Sequence, residues 1–122
     1  MSKEFGDYLR EKRKERHFTL KVFARLIGKS VSYVSQLESG MRPAPKENIL
    51  DVISVVLVLN DKEREKLYDF AAKSRNTIPD DFTNYINSHN EVKEALRISK
   101  NHNVPEEDWK QFLNQLKDKF LL

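Results

Sequence analysis

"TLKVFARLIGKSVSYVSQLESGMRPAP", residues 19–45, contains two short segments with helical apolar spacing on either side of a glycine. Apolar residues within 20–27 recur three and four positions apart, which predicts a short helix with one buried face. Gly28 permits a sharp turn, because glycine adopts positive φ angles without steric cost. A second helix is predicted over 31–39, and its composition is mostly polar and uncharged.

The ends of these two helices are marked by residues that favour caps. Thr19 and Ser30 precede them and can accept a hydrogen bond from an early backbone N–H. Gly40 follows the second helix, where glycine is the preferred residue for a left-handed cap. Pro43 and Pro45 exclude a helix immediately after it, so a loop is expected there.

The rest of the chain also has the pattern of helices. Helical apolar spacing predicts six more, over residues 3–16, 46–59, 61–73, 81–87, 91–100 and 106–120. Residues 46–59 are rich in valine, which favours strands, but their spacing is helical. Asn60 with Glu63 predicts a capping box, and Asn90 is the predicted cap of the next-to-last helix. The last helices are expected to share an apolar face of Leu96, Trp109, Phe112, Leu113, Leu116 and Phe120.

These helices predict an all-α fold of modest size. The chain has 122 residues, enough for one domain and a small appended part. We expect a domain over 1–75, followed by a small helical extension over 76–122. Val22, Phe23, Leu26 and Ile27 are predicted to face the core of the first domain.

Composition and charge limit the possible functions. The net charge is +3, with 11 Lys/Arg against 7 Asp/Glu in residues 1–60 and 11 against 12 in residues 61–122. A basic first half suggests a polyanionic partner. The chain has no cysteine, its first residues are too charged for a signal peptide, and its longest apolar run, 52–59, is too short to span a membrane. We therefore expect a cytoplasmic protein.

The second short helix presents a face suited to the major groove of DNA. Val34 and Leu37 are expected to hold it against the core. The outward residues expected to contact base edges are Val31, Ser32, Ser35 and Gln36. Gln36 can form a bidentate pair with adenine, and Val31 can pack against a thymine methyl group.

Around this face lie residues that can contact the DNA backbone. Lysine and arginine neutralise phosphates, and hydroxyl groups can donate hydrogen bonds to them. The predicted phosphate contacts are Thr19, Lys21, Lys29, Ser30, Tyr33, Ser39, Arg42 and Lys46. For Tyr33 the alternative is packing against the preceding helix.

Residues 19–45 resemble the Cro/repressor-type helix-turn-helix of phage repressors and the XRE family of bacterial regulators. The matching positions are Thr19, Ala24, Gly28, Ser30, Val34, Ser35, Leu37, Glu38, Gly40 and Pro43. The resemblance covers about residues 4–59. It implies a lambda-repressor-like bundle of about five helices, in which the helix over 31–39 reads the DNA.

The same resemblance assigns two further roles. It implies a structural ion pair between Arg13 and Glu38, rather than contacts of either residue with DNA. The family usually has a phosphate-binding glutamine where this chain has Leu20, so we expect either that the backbone N–H groups there suffice or that this protein docks slightly differently. Because the helix over 31–39 carries no lysine or arginine, we expect an AT-leaning or shape-assisted site.

These observations predict a sequence-specific regulator of transcription that binds double-stranded DNA, with repression as the expected direction. We expect a homodimer on a pseudo-palindromic operator, because one such domain gains specificity mainly by doubling. Residues 76–122 would mediate dimerisation or bind a partner protein. The alternative is the antitoxin of a toxin–antitoxin pair. No enzyme, cofactor or metal is predicted, since no nucleophile–base pair, phosphate loop or metal-ligand spacing is present.

Overall fold

A computed structural model describes residues 3–122, and every regular element in that range is an α-helix. The helices are α1 (Lys3–Glu15), α2 (Leu20–Leu26), α3 (Val31–Ser39), α4 (Glu47–Val56), α5 (Asp61–Ser74), α6 (Asp80–Asn87), α7 (Asn90–Asn101) and α8 (Glu106–Lys119). The prediction of an all-α fold is confirmed. No described helix is long and apolar enough to cross a membrane.

Most helix ends agree with the sequence pattern, and the largest difference is at the end of α4. This helix stops at Val56, three residues before the predicted end. Val58 adopts a positive φ of 52°, which turns the chain away from the helix. Arg16, the residue that follows α1, donates side-chain hydrogen bonds to the carbonyl groups of Leu57 (2.7 Å) and Val58 (3.2 Å). These bonds fix the end of α4.

The core of the first part of the chain lies between α1, α3 and α5, with α2 packed on α3 and α4 packed on α5. Its largest fully buried side chains are Phe5, Leu9, Phe23, Val34, Leu37, Leu50, Ile53, Leu57 and Leu67. One predicted core residue is wrong: Leu26, the last residue of α2, is 48% exposed. Phe23 and Ile27 are buried as predicted, and Val22 is half-buried. Leu26 remains outside the core because α2 spans only two turns and presents one narrow face inward.

Several helix ends carry the capping hydrogen bonds that the sequence predicts. Thr19 Oγ1 accepts from the Val22 N–H at 3.1 Å. Asn60 and Glu63 form the predicted capping box, with each side chain accepting from the other residue's backbone N–H. The predicted cap of α7 is wrong. Asn90 is already the first residue of α7, and the cap position is His89, whose side chain makes no capping hydrogen bond.

The chain divides into two compact units, one ending at Asn84 and one from Tyr85 to Leu122. In the second unit, α7 and α8 are amphipathic but bury no residue. The side chains predicted to share an apolar face there are between 41% and 60% exposed: Leu96, Trp109, Phe112, Leu113, Leu116 and Phe120. These six residues are called the C-terminal apolar face below.

Candidate nucleic-acid interface

α3 is held against the core by one face and at both ends. Val34 and Leu37 are fully buried. Ser30 Oγ accepts from the Tyr33 N–H at 3.0 Å, which satisfies a donor at the start of the helix. Gly40 closes the other end in the left-handed conformation with φ of 81°. The helix is therefore fixed in place, while its opposite face remains free.

The four predicted base-edge residues lie together on that free face. Val31, Ser32 and Ser35 are exposed, and Gln36 is half-buried. Val31 is 44% exposed at the start of α3, although valine is usually buried. Because side chains three and four positions apart share a helix face, these residues present one continuous surface to the outside.

The predicted phosphate contacts differ in how freely their donors can act. The lysines Lys21, Lys29 and Lys46 are exposed. Thr19 and Ser30 use an oxygen lone pair as a helix cap, so their hydroxyl hydrogens stay free to donate. The Ser39 hydroxyl donates to the Gln36 backbone carbonyl at 3.2 Å and would have to release that bond before donating to a phosphate.

Tyr33 lies between the free face and the core. Tyr33 is a partly buried residue packed against the core cluster. The Lys29 ammonium lies 5.2 Å and the Arg42 guanidinium 4.8 Å from the ring centroid. Burial raises the pKa of Tyr33, and nearby Arg42 lowers it by a smaller amount. The hydroxyl is therefore protonated at neutral pH and can act as a donor.

Gln36 and Arg42 are joined by hydrogen bonds that the sequence pattern did not predict. Arg42 Nε and Nη2 both donate to Gln36 Oε1, at 3.1 Å and 2.9 Å. Gln36 Nε2 lies 3.5 Å from Ser32 Oγ, at the outer limit of a hydrogen bond. The amide oxygen of Gln36 is thus engaged, whereas its amide nitrogen is available.

Arg13 and Glu38 form a buried, bidentate ion pair beneath the interface. Arg13 Nε lies 2.6 Å from Glu38 Oε2, and Nη2 lies 3.0 Å from Oε1. Arg13 Nη1 also donates to the Phe18 carbonyl at 2.7 Å. Only 9% and 7% of the two side chains are exposed. The pair joins α1, the following turn and the end of α3.

Leu20, which stands where the family usually has glutamine, packs against the core cluster as a partly buried side chain. The leucine therefore contributes apolar contacts at the start of α2, where a glutamine would offer a polar group. The start of α2 still offers the backbone N–H groups of its first turn and the Thr19 hydroxyl.

Gly6 is a structurally important residue that the sequence analysis missed. It is buried in α1, and a Cβ atom at this position would lie 2.4 Å from the Glu38 carbonyl oxygen and 2.5 Å from that of Leu37. The backbone of α1 therefore approaches the last turn of α3 directly. A signal was present, because glycine inside a helix is unfavourable and usually has a packing reason.

The geometry defines the class of this site as a helix-turn-helix: two short helices, a tight turn at Gly28, and a second helix with one buried and one free face. Residues 9–57 match the family model described as helix-turn-helix, which is the Cro-type domain of the XRE family. The chain thus carries a helix-turn-helix domain of the XRE family, and the predicted resemblance is confirmed.

The family is one of DNA-binding transcription regulators and is typically non-enzymatic, which supports DNA binding by this chain. No curated protein and no solved structure matches the chain. Within residues 3–122, no group of three or more histidine, aspartate or glutamate side chains is placed to hold a metal ion.

Proposed function

We propose that this chain is a sequence-specific regulator that inserts α3 into the major groove of double-stranded DNA. The observation that carries the proposal is the combination of a helix fixed by Val34, Leu37 and the Ser30 cap with a free polar face. A fixed reading helix matters because base recognition requires donors and acceptors at defined positions. In this proposal the base contacts are Val31, Ser32, Ser35 and Gln36.

The backbone contacts in this proposal come from the exposed lysines Lys21, Lys29 and Lys46, together with the hydroxyl groups of Thr19, Ser30, Tyr33 and Ser39. Three lysines in each of two protomers would release about six counterions, which gives a slope of about −5 for log affinity against log salt concentration. Repression is the simplest regulatory outcome, because a dimer bound over a promoter excludes the polymerase. We place the protein in the cytoplasm, where a bacterial regulator has access to chromosomal DNA.

The test is selection of bound fragments from fragmented genomic DNA at increasing salt, followed by titration of the enriched fragments. We expect a few fragments with a pseudo-palindromic sequence to survive at high salt, with half-sites about 34 Å apart. Equal, weak binding of every fragment would contradict specific reading. A variant with Gln36→Ala and Ser35→Ala should lose the enriched fragments and keep non-specific binding.

We further propose a five-helix DNA-binding domain over residues 1–75 and dimerisation through the extension that follows it. With about half of each side chain exposed, the C-terminal apolar face presents on the order of 500 Å² of apolar surface. A standard interface covers about 800 Å² on each partner, so this face would supply more than half of one. The unit from Tyr85 to Leu122 contains six basic and six acidic residues, so two copies do not repel each other through net charge.

Sedimentation equilibrium tests this role for the extension. Leu113→Glu with Leu116→Glu should convert a dimer into a monomer, because each adds a charge to the apolar face. Gln111→Glu with Gln115→Glu adds the same charge at exposed polar positions of α8 and is the matched control. A wild-type monomer, or equal effects of both pairs, would contradict dimerisation through this face.

An antitoxin role is the second candidate, and the C-terminal apolar face is the observation that favours it. A toxin could cover the same apolar surface while the helix-turn-helix domain represses the shared operon. Co-expression with the neighbouring reading frame decides between the two roles. A stable heteromeric complex that is lost in Leu113→Glu with Leu116→Glu supports the antitoxin role, whereas a homodimer alone supports the simple regulator.

A further inference from the structure

Arg42 belongs to the free face of α3, although it lies in the loop after that helix. Gly40 turns the chain back in the left-handed conformation, and the Arg42 N–H then donates to the Gln36 carbonyl oxygen at 3.2 Å. The guanidinium lies 4.8 Å from the centroid of the Tyr33 ring. The backbone turn and the aromatic contact together hold the Arg42 side chain over Gln36.

The hydrogen bonds to Gln36 determine what this pair offers to a base. Arg42 Nε and Nη2 both donate to Gln36 Oε1, which uses both lone pairs of that oxygen. The orientation of the amide follows from chemistry, since a guanidinium has only donors and must face the oxygen. What remains on the pair is the Gln36 amide nitrogen and the free N–H groups of Arg42, all of which are donors.

We propose that Gln36 and Arg42 act as one donor-only unit that reads guanine. In the major groove, guanine presents two acceptors, N7 and O6, whereas adenine presents one acceptor and the N6 amino donor. The donor-only unit matches the two acceptors of guanine and opposes the amino group of adenine. A Gln36–adenine pair would need an acceptor that Arg42 already occupies. The inference rests on the proposed DNA-binding function and names the base that this part of the site recognises.

The proposal changes two expectations from the sequence. Arg42 was expected to contact a phosphate, and Gln36 was expected to read adenine at an AT-leaning site. Both expectations treated the two side chains as independent. A phosphate contact by Arg42 would add affinity on every sequence alike, whereas a base contact by the pair changes which sequence is preferred. This difference separates the two roles by experiment.

The experiment selects binding sites from a random double-stranded DNA pool with the wild type, Arg42→Ala, Gln36→Ala and Lys46→Ala. For the wild type we expect one guanine in each half-site whose replacement by adenine weakens binding about 10-fold. In Arg42→Ala the Gln36 amide oxygen is released, so the preference at that position should change from guanine to adenine. Lys46→Ala is the backbone control and should weaken guanine and adenine sites equally.

Gln36→Ala tests the coupling of the pair by a second route. Without the Gln36 amide oxygen, Arg42 loses the group that orients it, so the guanine preference should be lost without the change to adenine that is expected in Arg42→Ala. The double variant should lose no more guanine preference than Gln36→Ala, because the unit is already lost when Gln36 is replaced, and it should not gain the adenine preference of Arg42→Ala. Thermal unfolding checks that the exposed Arg42 can be replaced without loss of the fold.

Three outcomes are informative against the proposal. A wild-type half-site with adenine, or without a guanine that depends on Arg42, overturns the donor-only unit but leaves the DNA-binding function intact. An equal loss of affinity on all sequences in Arg42→Ala assigns Arg42 to a phosphate and also overturns it. A wild type that enriches no sequence overturns both this inference and the sequence-specific function on which it rests.

Discussion

Replacing Gly6 by alanine tests how closely α3 is tied to α1. The added Cβ would lie 2.4 Å and 2.5 Å from two backbone carbonyl oxygens of α3, about 1 Å closer than an ordinary contact of 3.4 Å. These oxygens belong to the last turn of α3 and cannot move as a flexible side chain can. The two helices must therefore separate, and α3 must shift with its free face.

The expected loss of stability combines two opposing effects. Overpacking in a closely packed core costs about 1–3 kcal/mol. Alanine is favoured over glycine inside a helix by about 1 kcal/mol, which offsets part of that cost. Because the contact is with backbone, we place the overpacking cost at its upper end and expect the free energy of unfolding to fall by about 2 kcal/mol.

Urea denaturation followed by circular dichroism measures this loss, with Gly28→Ala as the matched control. Gly28 has a positive φ of 71°, and a Cβ there would have no atom within 4 Å. Its replacement costs about 1–2 kcal/mol through backbone strain alone. A residue larger than alanine should therefore lower the free energy of unfolding further at position 6 but not at position 28. If Gly6→Ala were as stable as the wild type or more stable, the close approach of α1 and α3 would be refuted.

Three further predictions address the ion pair, the backbone contacts and the dependence on pH. Glu38→Ala should lower the free energy of unfolding by about 3–5 kcal/mol, because it leaves Arg13 buried without a carboxylate partner. In urea denaturation, the double variant Arg13→Met with Glu38→Leu should recover most of this loss. A stability of Glu38→Ala near that of the wild type would contradict a structural role for the pair. Lys46→Ala should reduce the slope of log affinity against log salt by about one unit per protomer in titrations of a selected site, and an unchanged slope would exclude a phosphate contact. The hydrogen bond from Lys12, and next the backbone bond from Asn60, lower the pKa of Glu63 below its ordinary value of 4.5. Because the folded state holds the ionised form more strongly, this contribution is present above pH 4.5 and is lost as the pH falls through the lowered pKa. Glu63→Gln should therefore destabilise the protein more at pH 7 than at pH 3, and an equal effect at both pH values would contradict the pairing with Lys12.

The helix-turn-helix was predictable because its signals are local. Thr19, Ser30 and Gly40 act within one turn of their own helix, and each occupies the cap that its residue type favours. The end of α4 was less predictable, because it depends on Arg16, which is far away in the sequence. Leu26 has the apolar character of a core residue, and only the short length of α2 leaves it exposed.

The details of the candidate site were less predictable than the motif. Each residue of the free face could be assigned by helical spacing, but spacing does not show which side chains are bonded to each other. The Gln36–Arg42 pair depends on the turn at Gly40 and on the Tyr33 ring, so helical spacing alone does not predict it. The C-terminal apolar face was predicted as a shared face, and its exposure within the described chain could not be read from an amphipathic pattern.

The position of Arg42 has a consequence for how this regulator could diverge. Its side chain lies on an exposed loop, whereas the residues that hold α3 are buried. Substitutions at exposed positions usually change stability by less than about 0.5 kcal/mol. Under the proposed guanine reading, a single codon change at position 42 would alter operator choice while the scaffold stays intact. Under the same proposal, duplicated copies of such a gene would acquire separate targets through this loop, with the core unchanged.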